Sequence, residues 1–336
     1  MAEFDAPQQD WLRPHDPFAG AAPQPRLAPR YDLRPLSTGE ILDRTFALYR
    51  SRFWLFAGLS SLGACVNVLS GIVRIALPQT APAPNAFGLM SLFAIFSALI
   101  AFAAYSITHA ATTSAVAALY LGEDTSVGAA LRSVRRHWIR YPLIAVWQSW
   151  SFLWVFFLLL IPAIAIPAMG FSGFEWLVVL LFIFAFASLI YGIIAYIRNS
   201  LAVPASVIED LAVRASMRRS KLLTDGTKGR IFLLLLLLFA LYMVAGTLQV
   251  PFAFILLRVR STEHIMIQAI TLFITFLTGS LLGPVGAIGG CLFYFDQRVR
   301  KEAFDIEFLM DRTAPSIPAS PISAPPVPET APTEPA

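Results

Sequence analysis

Six stretches of this chain run for longer than a bilayer is thick with almost no ionisable side chain: roughly Phe53–Ala76, Leu89–Tyr120, Ile139–Met169, Phe174–Ile197, Ile231–Leu257 and Ile265–Phe295. About 20 apolar residues in a helix cross the ~30 Å hydrocarbon core of a membrane. The second, third and sixth stretches exceed that length, so each should tilt, kink or extend beyond the bilayer. Composition agrees: 57% of residues are hydrophobic and 14% charged, against about a quarter charged in a soluble domain. The expected fold is all-α, a polytopic membrane bundle of about six transmembrane helices.

Charge orients the spans. The segment around Leu77–Phe87 has no Lys or Arg, whereas Leu121–Arg140 carries Arg132, Arg135, Arg136 and Arg140. Gly170–Glu175 again has none, and Arg198–Arg230 is dense with both. Cationic loops are retained in the cytoplasm, which places both termini there. Arg44, Arg50 and Arg52 before the first span, and Arg298, Arg300 and Lys301 after the last, outweigh the dissenting Arg74, Arg258 and Arg260. The net charge of +4 thus gathers on one membrane face and is no nucleic-acid footprint.

Three domains are expected. Residues 1–35 form a Pro-rich disordered tail without a signal peptide's apolar core, so the first span would serve as the insertion signal. Residues 36–312 form the membrane domain, and residues 313–336 a second Pro-rich disordered tail.

The basic segments share a form. Ser37-Thr-Gly39-Glu-Ile-Leu42 precedes the first span and Ser126-Val-Gly128-Ala-Ala-Leu131 the third. Each reads as a serine-capped helix start followed by an amphipathic stretch. Val213–Leu223, stopped by Asp225-Gly226, is a third basic stretch. The chain would then be three copies of an interfacial amphipathic helix followed by a transmembrane hairpin. Such helices lie in the inner headgroup layer and turn arginines toward anionic lipid. Arg132, Arg135, Arg136, Arg214, Arg218 and Arg219 are the candidate lipid-facing residues. The plainer reading is that these arginines only hold loops inside.

Chemistry leaves few traces. Membrane enzymes and ion-coupled carriers carry ionisable groups within their spans, and here His109 is the main one. Tyr105, Thr108, His109 and Thr112, with Thr113 and Ser114 beyond, form a polar patch that could line a pocket, or could only satisfy backbone carbonyls. Asn67 is a further lone polar residue. His15, His109, His137 and His264 cannot be joined into a metal-ligand pair. No GxSxG elbow, P-loop or intramembrane carboxylate pair occurs, and the adjacent Glu209 and Asp210 point to different sides of a helix. Cys65 and Cys291 lie in apolar runs and build no disulfide framework. No enzyme, cofactor or metal is called for.

Proline and glycine carry packing information. Pro162 and Pro167 should end or kink the third span, Pro204 interrupt the segment after the fourth, and Pro251 and Pro284 break the fifth and sixth. Gly279/Gly283 and Gly286/Gly290 have GxxxG spacing, which permits close helix approach. The last span runs on through Asp296/Arg300, Arg298/Glu302 and Lys301/Asp305, pairs at i, i+4 that support a helix beyond the bilayer.

Three motifs are familiar. Arg34-Pro-Leu36-Ser37-x-Gly39-Glu40-Ile-Leu-Asp43-Arg44, Ala202-x-Pro204-Ala205-x-Val207-x-Glu209 and Tyr294-Phe-Asp296-x-Arg298-x-Arg300-Lys301-Glu302 resemble segments of bacterial six-span proteins filed as glycerophosphoryl diester phosphodiesterase membrane-domain-like. The resemblance spans about residues 34–310 and implies an inner-membrane protein without assigned activity. The phosphodiesterase chemistry of that name belongs to a separate soluble barrel and does not carry over.

Two functions fit. The leading one is a non-enzymatic scaffold, or a protein that interacts with lipid or an unidentified protein partner through its basic cytoplasmic face. The alternative is a carrier or channel for a small or amphipathic solute, built on the Tyr105–Ser114 patch and a broken sixth helix. They separate on whether His109, Asn67 and the Gly279–Gly290 stretch face a common cavity or a dry interface.

Overall fold

The computed structural model describes residues 34–76, 86–170, 173–247, 249–251, 254–255, 263–304, 306 and 310. Most of both expected tails, the Leu77–Phe87 loop apart from its last two residues, and the segment carrying Arg258 and Arg260 lie outside the described residues. The chain divides into two compact units, residues 27–303 and residues 1–26 with 304–336. The second contributes only Phe304, Ile306 and Met310 to the described residues, all helical.

The larger unit is all-α, without a strand among the described residues. In chain order its helices are α1 (Thr38–Ser51), α2 (Phe53–Ala76), α3 (Ala86–Tyr120), α4 (Val127–Arg135), α5 (Arg140–Ala168), α6 (Glu175–Asn199), α7 (Ala202–Ile208), α8 (Val213–Thr224), α9 (Lys228–Thr247) and α10 (Glu263–Glu302). Six spans are long and apolar enough to cross a membrane, drawn from α2, α3, α5, α6 continuing through α7, α9 and α10. The protein is a multi-pass membrane protein. A short helix followed by two long ones recurs three times, with α7 as the extra element.

Local chemistry sets the short helices. Ser37 caps α1 by accepting from the Glu40 N–H at 3.2 Å, while Glu40 accepts from the Ser37 N–H at 2.7 Å, a reciprocal capping box. Ser126 accepts from the Ala129 N–H at 3.3 Å to start α4. Gly226, with φ of +75°, ends the stretch after α8 as only a residue without Cβ does at low cost.

Two bodies result. α10 packs along α2, α3 and α1, while α5 and α6 form a hairpin against which α8 lies. α3 contacts both bodies, and α9 lies against α10, α6 and α1. The core sits at the end that carries the arginines. On α3 the fully enclosed residues run from Ala110 to Leu119, on α10 from Val285 to Phe295, and α7 is enclosed from Ala202 to Ala205. Toward the other end the same helices expose Leu92, Phe96, Leu99, Ile265 and Phe273, as helices that face acyl chains do.

The prolines agree with one expectation and correct another. α5 runs through Pro162 and stops just after Pro167, and α10 continues unbroken through Pro284. Proline removes one N–H and loosens the preceding turn, which neighbouring donors can repair. Here the Tyr49 and Tyr242 hydroxyls donate to the carbonyls of Leu281 at 2.8 Å and Leu282 at 3.0 Å. Pro204 falls in the first turn of α7, after the break at Ser200–Leu201. Val250 and Pro251 are helical, and the two residues after Pro251 lie outside the described set. The last helix stops at Glu302, with Ala303 at φ of +51°, short of the Lys301/Asp305 pair; Asp305 is outside the described residues.

Candidate functional site

At the arginine-bearing end, the three motifs that carry the family resemblance meet. The Asp296 carboxylate is wholly enclosed and accepts from the Leu36 N–H (2.8 Å), Arg230 (3.0 Å), Arg300 (2.9 Å) and Gln297 (2.9 Å). Arg230 and Arg300 each also donate to the Leu36 carbonyl, at 2.6 and 2.7 Å. The backbone of one residue of the N-terminal segment is thus clamped through both its N–H and its carbonyl. Beside it, Glu209 accepts from Arg219 at 2.7 Å and from the Tyr294 hydroxyl, and Arg219 reaches on to Glu302, which also accepts from Arg298 at 3.2 Å. This lattice is a lock between elements, since every charge has an opposite partner.

Of the arginines expected to face lipid, Arg132, Arg135, Arg136, Arg214 and Arg218 are exposed. Arg219 departs from that expectation, because the paired carboxylates Glu209 and Glu302 draw its guanidinium inward and raise its pKa further. Glu209 and Asp210 do diverge: Asp210 turns to Arg140 at 2.7 Å, with His137 at 3.5 Å, and the Arg140 guanidinium holds its carboxyl below the usual range.

Within the spans the two bodies part around a cavity of about 670 Å³, bounded by α3, α5, α6, α7, α9 and α10. Its walls are mostly apolar, with Ile193, Phe232, Leu235 and Phe239 among them, and its polar groups include Tyr105, His109, Gln148, Tyr196 and Tyr242. Ile231 and Tyr242 both line it; eleven residues of helix separate them by about 16 Å, one leaflet's depth. Beside it lies a chamber of about 130 Å³ lined by Ser60, Asn67, Thr108, Thr112, Thr278 and Gly283. Tyr105, His109 and Tyr242 line both spaces.

The predicted polar patch thus separates into two kinds of residue. Thr108, Thr112 and Thr113 donate to carbonyls of their own helix at 2.8–3.0 Å, a structural role. Tyr105 and His109 lie 6.1 Å apart between ring centroids with their planes tilted by 39°, and neither side chain hydrogen-bonds another described residue. The glycines divide as well. Gly279 and Gly283 abut α2, where a Cβ on Gly283 would meet Ser60 Oγ at 3.1 Å. Gly286 and Gly290 instead line the cavity, and a Cβ on Gly290 would meet nothing within 4 Å.

Sequence reasoning placed the interruption after the fourth span at Pro204, whereas the structure breaks the helix just before it, between α6 and α7. The carbonyls freed at the end of α6 are met from outside: Gln148 donates to Asn199 O at 2.6 Å and Ser220 to Arg198 O at 2.9 Å. Asn199 Oδ1 remains enclosed without a partner among the described residues. Nothing within the 199–201 tripeptide signals this; the partners come from α5 and α8.

No curated protein and no solved structure matches the chain. Residues 84–313, more than half of it and all of the cavity's lining, match the family described as a domain of unknown function, DUF8558, and the chain belongs to that family.

Proposed function

We propose that this protein takes up an amphipathic, largely apolar solute within the inner leaflet of a bacterial inner membrane, as a carrier or a presenting protein. The observation that carries the reading is the shared lining. His109 borders both spaces, Asn67, Gly279 and Gly283 the polar one, and Gly286 and Gly290 the apolar one. The cavity falls within the roughly 300–1,000 Å³ of pockets that enclose small ligands, with apolar walls and a few convergent polar groups. The test is retention of a tail-labelled lipid probe by protein in nanodiscs, compared with Gly286→Leu, whose side chain would project into the cavity. Lost retention in a variant that still folds is expected. Equal retention in both proteins overturns the reading.

The exposed arginines of α4 and α8 favour a second, compatible role: both helices lie in the cytoplasmic headgroup layer and gather anionic lipid or a protein partner. Replacing Arg132, Arg135 and Arg136 by Gln should reduce the anionic lipids co-purifying with the protein and remove the salt dependence of that association. Unchanged, salt-insensitive lipid content would overturn it.

A further inference from the structure

We infer that the solute is a neutral lipid bearing a hydroxyl head, held with its head in the polar chamber and its tail in the apolar cavity. This rests on the cavity reading and assigns the chemical class. Among the described residues no Asp, Glu, Lys or Arg lines either space, so a phosphate, carboxylate or ammonium head would enter without a fixed opposite charge, at a heavy desolvation cost. An uncharged head carries no such penalty.

The chamber's own chemistry narrows the head further. The Thr108 and Thr112 hydroxyl protons are committed to backbone carbonyls, which leaves their oxygens as acceptors. Among the described residues the Asn67 side chain makes a single 3.4 Å contact, to Gly63 O. Tyr105 and His109 add one hydroxyl and one imidazole with no partner among the described residues. A group that both donates and accepts satisfies this set, and a hydroxyl is the smallest that does. Size agrees, because a space of about 130 Å³ accommodates a hydroxymethyl or glycerol-like head. The wall shared through Tyr105, His109 and Tyr242 is then where head and tail join.

The experiment uses the full chain in nanodiscs with three photoreactive probes, a long-chain alcohol and the hydrocarbon and carboxylate of the same length, each with a diazirine in the tail. Labelling of α9 is read by mass spectrometry. Wild type should take the alcohol about tenfold better than the hydrocarbon, as one well-made hydrogen-bonding site implies, and better than the carboxylate. His109→Leu should bring the alcohol down to the hydrocarbon's level while hydrocarbon labelling holds, and His109→Gln should keep the preference. Equal labelling by alcohol and hydrocarbon in wild type, or a carboxylate that competes with the alcohol, overturns the inference and leaves the cavity standing. If no probe labels wild type above Gly286→Leu, the cavity reading falls and this one with it.

Discussion

Asp296 concentrates what single residues contribute here. Its carboxylate is enclosed and bound by two arginines and a backbone N–H. Removing it strands two cations together with an orphaned peptide donor. Asp296→Ala should destabilise the protein by about 3 kcal/mol, read as a lower thermal midpoint in detergent. Glu40 sets a pH dependence of known sign. The Ser37 N–H, with the Arg34 guanidinium beside it, lowers its carboxyl from the ordinary 4.5 to about 2. Its contribution to the α1 cap is therefore complete above pH 4.5 and is lost as pH falls toward 2. The protection factor of the Ile41 amide, which donates to Ser37 O, should drop across that window, and Glu40→Gln should flatten the drop. Individual residues were partly legible in the sequence. Ser37 and Ser126 announced helix starts because capping is local, whereas Arg219 read as a surface cation because its carboxylates lie 10 and 83 residues away.

At the scale of elements, the apolar runs revealed the six spans because bilayer thickness imposes their length. Kinks were less legible. Pro284 looked like a break, and only the fold supplies the Tyr49 and Tyr242 hydroxyls that hold the helix together. Tyr242→Phe should lower stability by about 1 kcal/mol and leave circular dichroism helix content unchanged. The two GxxxG spacings look alike in sequence and differ in the fold. Gly283→Ala would crowd Ser60 and should loosen α2 from α10, measured as weaker exchange protection along α2. Gly290→Ala meets open space and should stabilise the protein by up to about 1 kcal/mol through helix propensity.

At the scale of the molecule, charge alternation in the loops supports a topology with both termini inside. A reporter that fluoresces only in the cytoplasm should light when fused at either end, and a dark fusion at one end would reject six spans. The cavity could not be read ahead of the fold, since its walls come from six helices and a void has no sequence signature of its own. The clamp on Leu36, finally, has a consequence in time. Its partner Asp296 follows 260 residues later, so the clamp closes only after the sixth span is made. Until the sixth span is threaded, Leu36 has only Arg230 of its clamp, and a chain stalled before Asp296 carries a visible mark of incompleteness. Such truncations and full-length Asp296→Ala should be cleared by membrane proteases at similar rates, and the intact chain spared.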